Sequence, residues 1–231
     1  MSQFQPTSFN RMPPVIKNLI IINVIMFIAT MIFESQGINF TGYLGMFPFQ
    51  SEYFKPYQIV THMFMHGGVG HIFFNMFALW MFGAPLENVW GPKRFLTFYL
   101  ITGLGAALLH QGVNAFEFYQ LQQAIAEGGS NGAYARQMLQ FKLDIPTVGA
   151  SGAVFGILTA FGVLFANSMI YVYFLFPVKA KYFVTVLILI ELYTGFVNNP
   201  ADNIAHFAHL GGALFGFILL KIWQRDRRKF Y

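Results

Sequence analysis

Cysteine is absent from this chain of 231 residues, and charge is scarce, with Asp, Glu, Lys and Arg together only 10%. The first absence excludes disulfides, a thiolate nucleophile and thiolate metal sites. The second excludes an ordinary soluble domain, where roughly 25% of residues are charged. Lys and Arg exceed Asp and Glu by 14 to 9, but the bases sit in short clusters at the ends of apolar runs, which argues against nucleic acid as a partner. What is abundant is apolar: 56% hydrophobic residues, with 29 Phe and 11 Met, a composition suited to a surface facing a lipid bilayer. At about 20 residues per membrane-spanning helix, this length accommodates six or seven spans and little else. One polytopic all-α membrane domain over 1–231 is therefore expected.

Apolar runs bounded by charge or by Gly, Pro and Asn mark six segments, near 15–33, 71–87, 95–111, 149–170, 182–196 and 206–223. They form a six-helix core over 15–223, between a polar segment at 1–14 and a basic tail at 224–231. The run after Lys17 has no convincing small-residue cleavage site, so the first segment reads as a retained helix. Arg11 and Lys17 precede that segment, Lys93 and Arg94 join the second to the third, and Lys179 and Lys181 join the fourth to the fifth. Lys221, Arg225, Arg227, Arg228 and Lys229 close the chain, while the alternate connections hold only Lys55, Arg136 and Lys142. By the positive-inside rule both termini are cytoplasmic. Loops 34–70, 112–148 and 197–205 then face outward, and the second, fourth and sixth segments all start at the outer surface. The stretch 117–142, rich in Gln, Ala and Gly, is expected to be helical or mobile.

Three polar clusters open those three segments. The fourth begins Gly149-Ala-Ser151-Gly152, with Phe155 and Gly156 following; the sixth begins His206-Phe-Ala-His209-Leu-Gly211-Gly212 and continues to Gly216; the second carries His62, His66, His71 and Asn75 at its approach. Each has an ordinary reading. Glycines four apart serve close helix packing, a lone serine bonds a carbonyl one turn back, His71 and Asn75 could be an interhelical hydrogen-bonding pair, and His62 and His66 would order a loop. Together they allow more. Parallel segments bring Ser151, His209 and His71/Asn75 to similar depth, and two bare glycine stripes let backbones approach until hydroxyl and imidazole can bond. A serine hydroxyl needs such a base to become a nucleophile. The tetrahedral oxyanion of acyl transfer needs preorganised donors, which His71, Asn75 and the backbone N–H groups near Ser151 could supply. Phe155 could stack on the imidazole or simply pack. Of the acids inside apolar runs, Glu87 and Glu191 are assigned to inner ends or to another helix, so a Ser-His dyad is expected, without a third member.

These residues resemble the rhomboid family of intramembrane serine proteases across nearly the whole chain. GASG at Ser151 is similar to the family's GxSG motif, HLGGALFG to its H-x-x-G-x-x-x-G stretch, and His71-xxx-Asn75 to its oxyanion pair. The resemblance implies a six-transmembrane-helix bundle with Ser151 as nucleophile, His209 as general base and later acid, and His71 and Asn75 as oxyanion donors. It also implies a water-filled cavity open to the outer face, a gate near the fifth segment and 197–205, and transmembrane segments of other proteins as substrates. His206 lies one turn from His209, but only His209 keeps the glycine register. Where many members carry Trp-Arg in the first outer loop, this chain has Tyr57-Gln58.

Other classes fit less well. A catalytically silent, client-binding relative would lack the serine or the histidine. A metal enzyme or transporter built from His62, His66, His71, His206 and His209 has no HExxH and no suitably placed carboxylates, so neither metal nor cofactor is expected. An aspartyl intramembrane protease needs Asp within helices, yet Asp144, Asp202 and Asp226 fall in loops or the tail. An alternating-access transporter would hold its polar residues at the midplane. The location expected is a cell membrane, multi-pass, most economically a bacterial cytoplasmic membrane.

Overall fold

The structure is a computed structural model and describes residues 11–172, 175–197 and 205–227, with side chains through residue 224. The expected gate segment 197–205 and the basic tail therefore lie largely outside the described residues, as do the first ten residues of the polar segment. Prolines and glycines set the helix limits. Pro13 and Pro14 open α1 (Pro14–Ser35), where a missing N–H costs nothing. Gly91, at φ 79°, separates α4 (Val69–Trp90) from α5 (Pro92–Glu127), and Pro92 starts the latter. Between α1 and α4 lie two short helices, α2 (Phe40–Leu44) and α3 (Gln58–Thr61), and a tight turn at His62–Phe64. Then come α6 (Gly129–Asp144), α7 (Ser151–Leu164), α8 (Ala180–Val197) and α9 (His206–Arg227).

Among the described residues, α1, α4, α5, α8 and the 206–224 part of α9 are long and apolar enough to cross a membrane. Their large apolar side chains point outward: Ile25, Phe74 and Phe196 are all more than half exposed. That is the pattern expected where lipid is the solvent. The segment expected at 149–170 is shorter than anticipated, since α7 has only 14 residues, of which ten are buried. A helix apolar all round is a core helix, and its neighbours shield it. The chain after it is not helical: strands β1 (Met169–Val172) and β2 (Phe176–Lys179) pair antiparallel, Met169 opposite Lys179. Thus the fold is mostly helical, but not all-α as expected. Ile170, Tyr171 and Val172 favour extended backbone, and Pro177 is tolerated because a two-stranded ribbon is all edge.

The second departure is α5. With 36 residues at 1.5 Å each, it is about 54 Å long and outreaches a hydrocarbon core of about 30 Å. Its end turns through Gly128 and Gly129, both at positive φ, into α6, and Lys142 reaches back to Glu117 at 2.7 Å. Stretch 117–142, expected to be helical or mobile, is a helical hairpin.

Glycines decide where the core lies. A β-carbon on Gly212 would overlap the carbonyl oxygen of Gly152, and one on Gly216 would stand 2.9 Å from Gly156 Cα. On the other flank of α7, Gly152 faces Ala106 and Gly156 faces Thr102, both on α5. Helices α5, α7 and α9 therefore meet backbone to backbone. Gly212→Ala should destabilise the protein by about 1–3 kcal/mol through overpacking, read as a lower unfolding midpoint in detergent. Gly112→Ala, in open space on α5, should be neutral or stabilising by up to about 1 kcal/mol. Equal midpoints for the two variants would contradict this packing.

Candidate active site

Ser151 is the first residue of α7, and the segment leading to it is tied down by main-chain bonds. Met46 and Thr147 exchange N–H···O bonds of 2.9 and 2.8 Å, and Gly149 N donates to His62 O at 2.9 Å. His110 Nε2 holds the Thr147 hydroxyl at 3.0 Å. Gly149 has φ 135°, and a β-carbon there would stand 2.9 Å from His71 Nε2 and 3.4 Å from Ser151 Oγ. Only glycine lets the imidazole of α4 and the hydroxyl of α7 face the same point. As at any helix start, the first N–H groups of α7 have no acceptor within the helix, so they add donors at that end.

His209, in the first turn of α9, brings Nε2 to 2.8 Å from Ser151 Oγ. The hydroxyl donates to this nitrogen when the ring carries its proton on Nδ1. Phe155, one turn beyond Ser151, stacks on the same ring with centroids 4.4 Å apart and planes within 8°. Of the two readings open to Phe155, stacking is the one observed. His206 is not at the hydroxyl: its Nδ1 lies 2.7 Å from Glu191 Oε2 and 3.0 Å from Thr194 Oγ1 on α8.

His71 and Asn75 occupy one face of α4, lining with Ser151 and His209 a cavity of about 1510 Å³. Gly67 N donates to His71 Nδ1 at 3.4 Å, so the ring proton belongs on Nε2, the atom facing Gly149 and Ser151. Asn75 Nδ2 donates to His71 O at 3.0 Å, and an amide has a second N–H to give. The pair is therefore not an interhelical bond between partners but two donors on one helix.

Of the two histidines expected to order the loop, His62 is hydrogen-bonded within it, while neither ring nitrogen of His66 has a hydrogen-bond partner among the described residues. Buried His62 has its Nδ1 2.9 Å from Gln58 O, and the ring of His66 meets that of His71 edge-on at 5.0 Å. At the Tyr57-Gln58 departure, the Gln58 side chain accepts from Lys55 N at 3.1 Å and Phe47 N at 3.4 Å, and donates to Tyr43 O and Tyr53 O. Gln111 joins the same loop to α5, accepting from Phe49 N and donating to Phe47 O. Neither Gln carried a motif; burial alone reveals them.

The expectation that no acid reaches the histidine is corrected. Glu191 Oε2 lies 2.9 Å from His209 Nδ1 as well as 2.7 Å from His206 Nδ1. It sits six residues before the end of α8, which runs opposite to α9, so it belongs beside the start of α9 and not at an inner end. The spacing Glu191-x-x-Thr194 against His206-x-x-His209 was the available signal. The ligand atoms of Glu191, His206 and His209 lie within 4.8 Å of one another, close enough to hold a cation. Yet the N···O separations of 2.7 and 2.9 Å are shorter than about 3.3 Å between two ligands of one tetrahedral zinc; the contact to His206 is a hydrogen bond, and that to His209 is a close approach without hydrogen-bond alignment.

A model of the rhomboid domain matches residues 53–225. Among curated relatives, RHOMBOID-like protein 12, mitochondrial, of Arabidopsis thaliana is 28% identical over 214 residues, covering 93% of this chain and 59% of that protein. YdcA of Bacillus subtilis (strain 168), by its name a candidate rhomboid protease, is 30% identical over 176 residues, covering 74% of this chain and 70% of its own. Rhomboid protease GluP of the same strain is 29% identical over 162 residues, 70% of this chain but 25% of that protein. The chain thus spans well under two thirds of the Arabidopsis protein and of GluP.

Burial lowers the His62 imidazole from its ordinary value of 6.5 to about 4. The unfolded chain takes up this proton before the folded chain does, so the stability present above pH 6.5 declines as pH falls toward 4, by up to roughly 1.4 kcal/mol per pH unit. His62→Asn, which retains a donor for Gln58 O, should flatten this acid limb in unfolding curves recorded from pH 7 to pH 4.5. Parallel curves for variant and wild type would contradict the assignment.

Proposed function

The chain belongs to the rhomboid family, and from that premise we propose that it is an intramembrane serine endopeptidase acting on transmembrane segments of other proteins. The observation that carries this reading is the 2.8 Å bond between Ser151 Oγ and His209 Nε2, at the mouths of two helices locked together by glycine. A serine protease needs this contact and a packing motif does not.

In the proposed reaction a substrate helix partly unwinds at the cavity, exposing a carbonyl otherwise shielded by its own hydrogen bonds. Ser151 Oγ bonds to the carbonyl carbon while its proton passes to His209 Nε2. The oxyanion is held by His71 Nε2–H, the remaining Asn75 N–H and the N–H groups opening α7. His209 then gives its proton to the leaving amine, the C–N bond breaks, and water repeats the sequence on the acyl-enzyme. Metal has no part in these steps.

The proposal extends to topology. Helices α1, α4, α5, α7, α8 and α9 are read as six crossings of one domain, α7 being short and surrounded, with both termini on the cytoplasmic side by the distribution of bases. The long α5–α6 hairpin then stands on the outer side with the catalytic cavity. A bacterial cytoplasmic membrane is the proposed location, in line with the two Bacillus subtilis relatives; "mitochondrial" belongs to the name of the Arabidopsis protein.

Purified protein in liposomes should cleave a generic transmembrane reporter with EDTA present, and Ser151→Ala or His209→Ala should abolish cleavage with the unfolding midpoint nearly unchanged. His71→Ala and Asn75→Ala should each lower kcat by about a hundredfold, the loss typical of one oxyanion donor. A folded wild type that cleaves no member of a reporter panel, but copurifies with membrane proteins, would replace this reading by a silent, client-binding one.

A further inference from the structure

Glu191 is a partly buried carboxylate within a membrane-spanning helix, and nothing in the reaction above uses it. Such a group is expensive to keep in a bilayer unless a partner offsets its charge. Its partners are two imidazoles one turn apart on α9: Oε2 lies 2.7 Å from His206 Nδ1 and 2.9 Å from His209 Nδ1. The close approach of the two helices depends on Gly195, where a β-carbon would sit 3.3 Å from His206 Cβ. From this geometry we infer that Glu191 is a positioning residue for His209, and that His206 holds Glu191 in place. The inference rests on the proposed roles of Ser151 and His209.

The physical argument begins with the two nitrogens of His209. Nε2 can receive the Ser151 proton only if it is unprotonated, which requires the neutral ring to carry its proton on Nδ1. A carboxylate beside Nδ1 selects that tautomer, because it accepts from N–H and would repel a lone pair. When Nε2 gains the serine proton, the ring becomes a cation, and the fixed negative charge stabilises it. Glu191 itself stays ionised and takes no proton. The alignment is incomplete in the free enzyme: His206 occupies the in-line position, while His209 Nδ1 meets no acceptor along its N–H axis among the described residues. Catalytic bonds are often poorly aligned before substrate binds. A shift of the shared oxygen toward His209, with Thr194 Oγ1 still holding His206 at 3.0 Å, aligns it.

The division of labour between the two histidines follows. His206, bonded to both Thr194 and Glu191, is an anchor two steps from the serine. His209 alone touches Ser151. Loss of the anchor should matter less than loss of the carboxylate, and the nature of the side chain at 191 should matter more than its volume.

The test uses full-length protein in liposomes with a transmembrane reporter, and ¹⁵N-histidine-labelled protein in detergent. Glu191→Gln should lower kcat by about a hundredfold with KM and the unfolding midpoint little changed. Glu191→Asp should recover part of that loss, and His206→Gln should lose less than tenfold. In Ser151→Ala, which has no activity to measure, the ¹⁵N shifts of His209 should report a neutral ring with its proton on Nδ1, a preference that is lost when Glu191→Gln is added. Unchanged kcat in folded Glu191→Gln would overturn the inference while leaving the protease reading intact. If Glu191→Gln fails to fold, a His209 ring protonated on Nε2 in Ser151→Ala overturns it instead. A wild type that does not cleave removes the protease reading, and the ¹⁵N shifts still test the tautomer.

Discussion

Everything at the candidate site depends on two helices touching where neither has a side chain. Gly152 and Gly156 on α7 face Gly212 and Gly216 on α9, with no room for a methyl group between them. In a bilayer, helix association gains nothing from excluding water from apolar surface, so close van der Waals contact must supply it. The same approach puts the first turn of α9 beside the first residue of α7, which is the condition for His209 to reach Ser151. Packing and site geometry are one constraint here: the stripe that holds the helices together also sets the length of the Ser151–His209 hydrogen bond.

Around this contact, three polar side chains are placed where main-chain partners are waiting. Glu87, 2% exposed on α4, accepts from Val15 N and Ile16 N at 2.9 Å each. It meets two of the donors that every helix start leaves open, at the positive end of α1. Gln58 and Gln111 do the same for the irregular backbone of the loop before α4, which could not otherwise stand beside an apolar core. Glu191 fits the same rule, with histidines in place of main-chain N–H groups. The difference is that one of its partners also faces a serine.

The helices themselves were legible from the sequence because lipid imposes long apolar runs, and five of the six expected segments correspond to long apolar helices. The sixth, at 149–170, was misjudged in length because a core helix and a strand can both be continuously apolar, as periodicity alone does not separate them. Its continuation pairs with 176–179 instead of lengthening α7. The α5–α6 hairpin was half legible: Gln and Ala suit helices, but whether they fold back depends on glycines at positive φ and on the Lys142–Glu117 contact. Ser151, His209, His71 and Asn75 stood out as polar residues at the starts of apolar runs, and the structure brings all four to one cavity.

By itself, the sequence determined the class of environment, the number and order of the apolar segments, and the residues at which polar chemistry must be explained. It could do so because hydropathy, charge asymmetry and glycine spacing act locally, each within a helix or its flanks. The glycine register singled out His209; only the tertiary structure decided that His206 turns instead to Glu191 and Thr194 on α8, and that this carboxylate lies beside both rings. Those outcomes depend on the depth and rotation of one helix against another, set by contacts between residues such as Gly195 and His206 that are remote along the chain. Directional hydrogen bonds change partner over an ångström or two, and no pattern within a single segment carries that information.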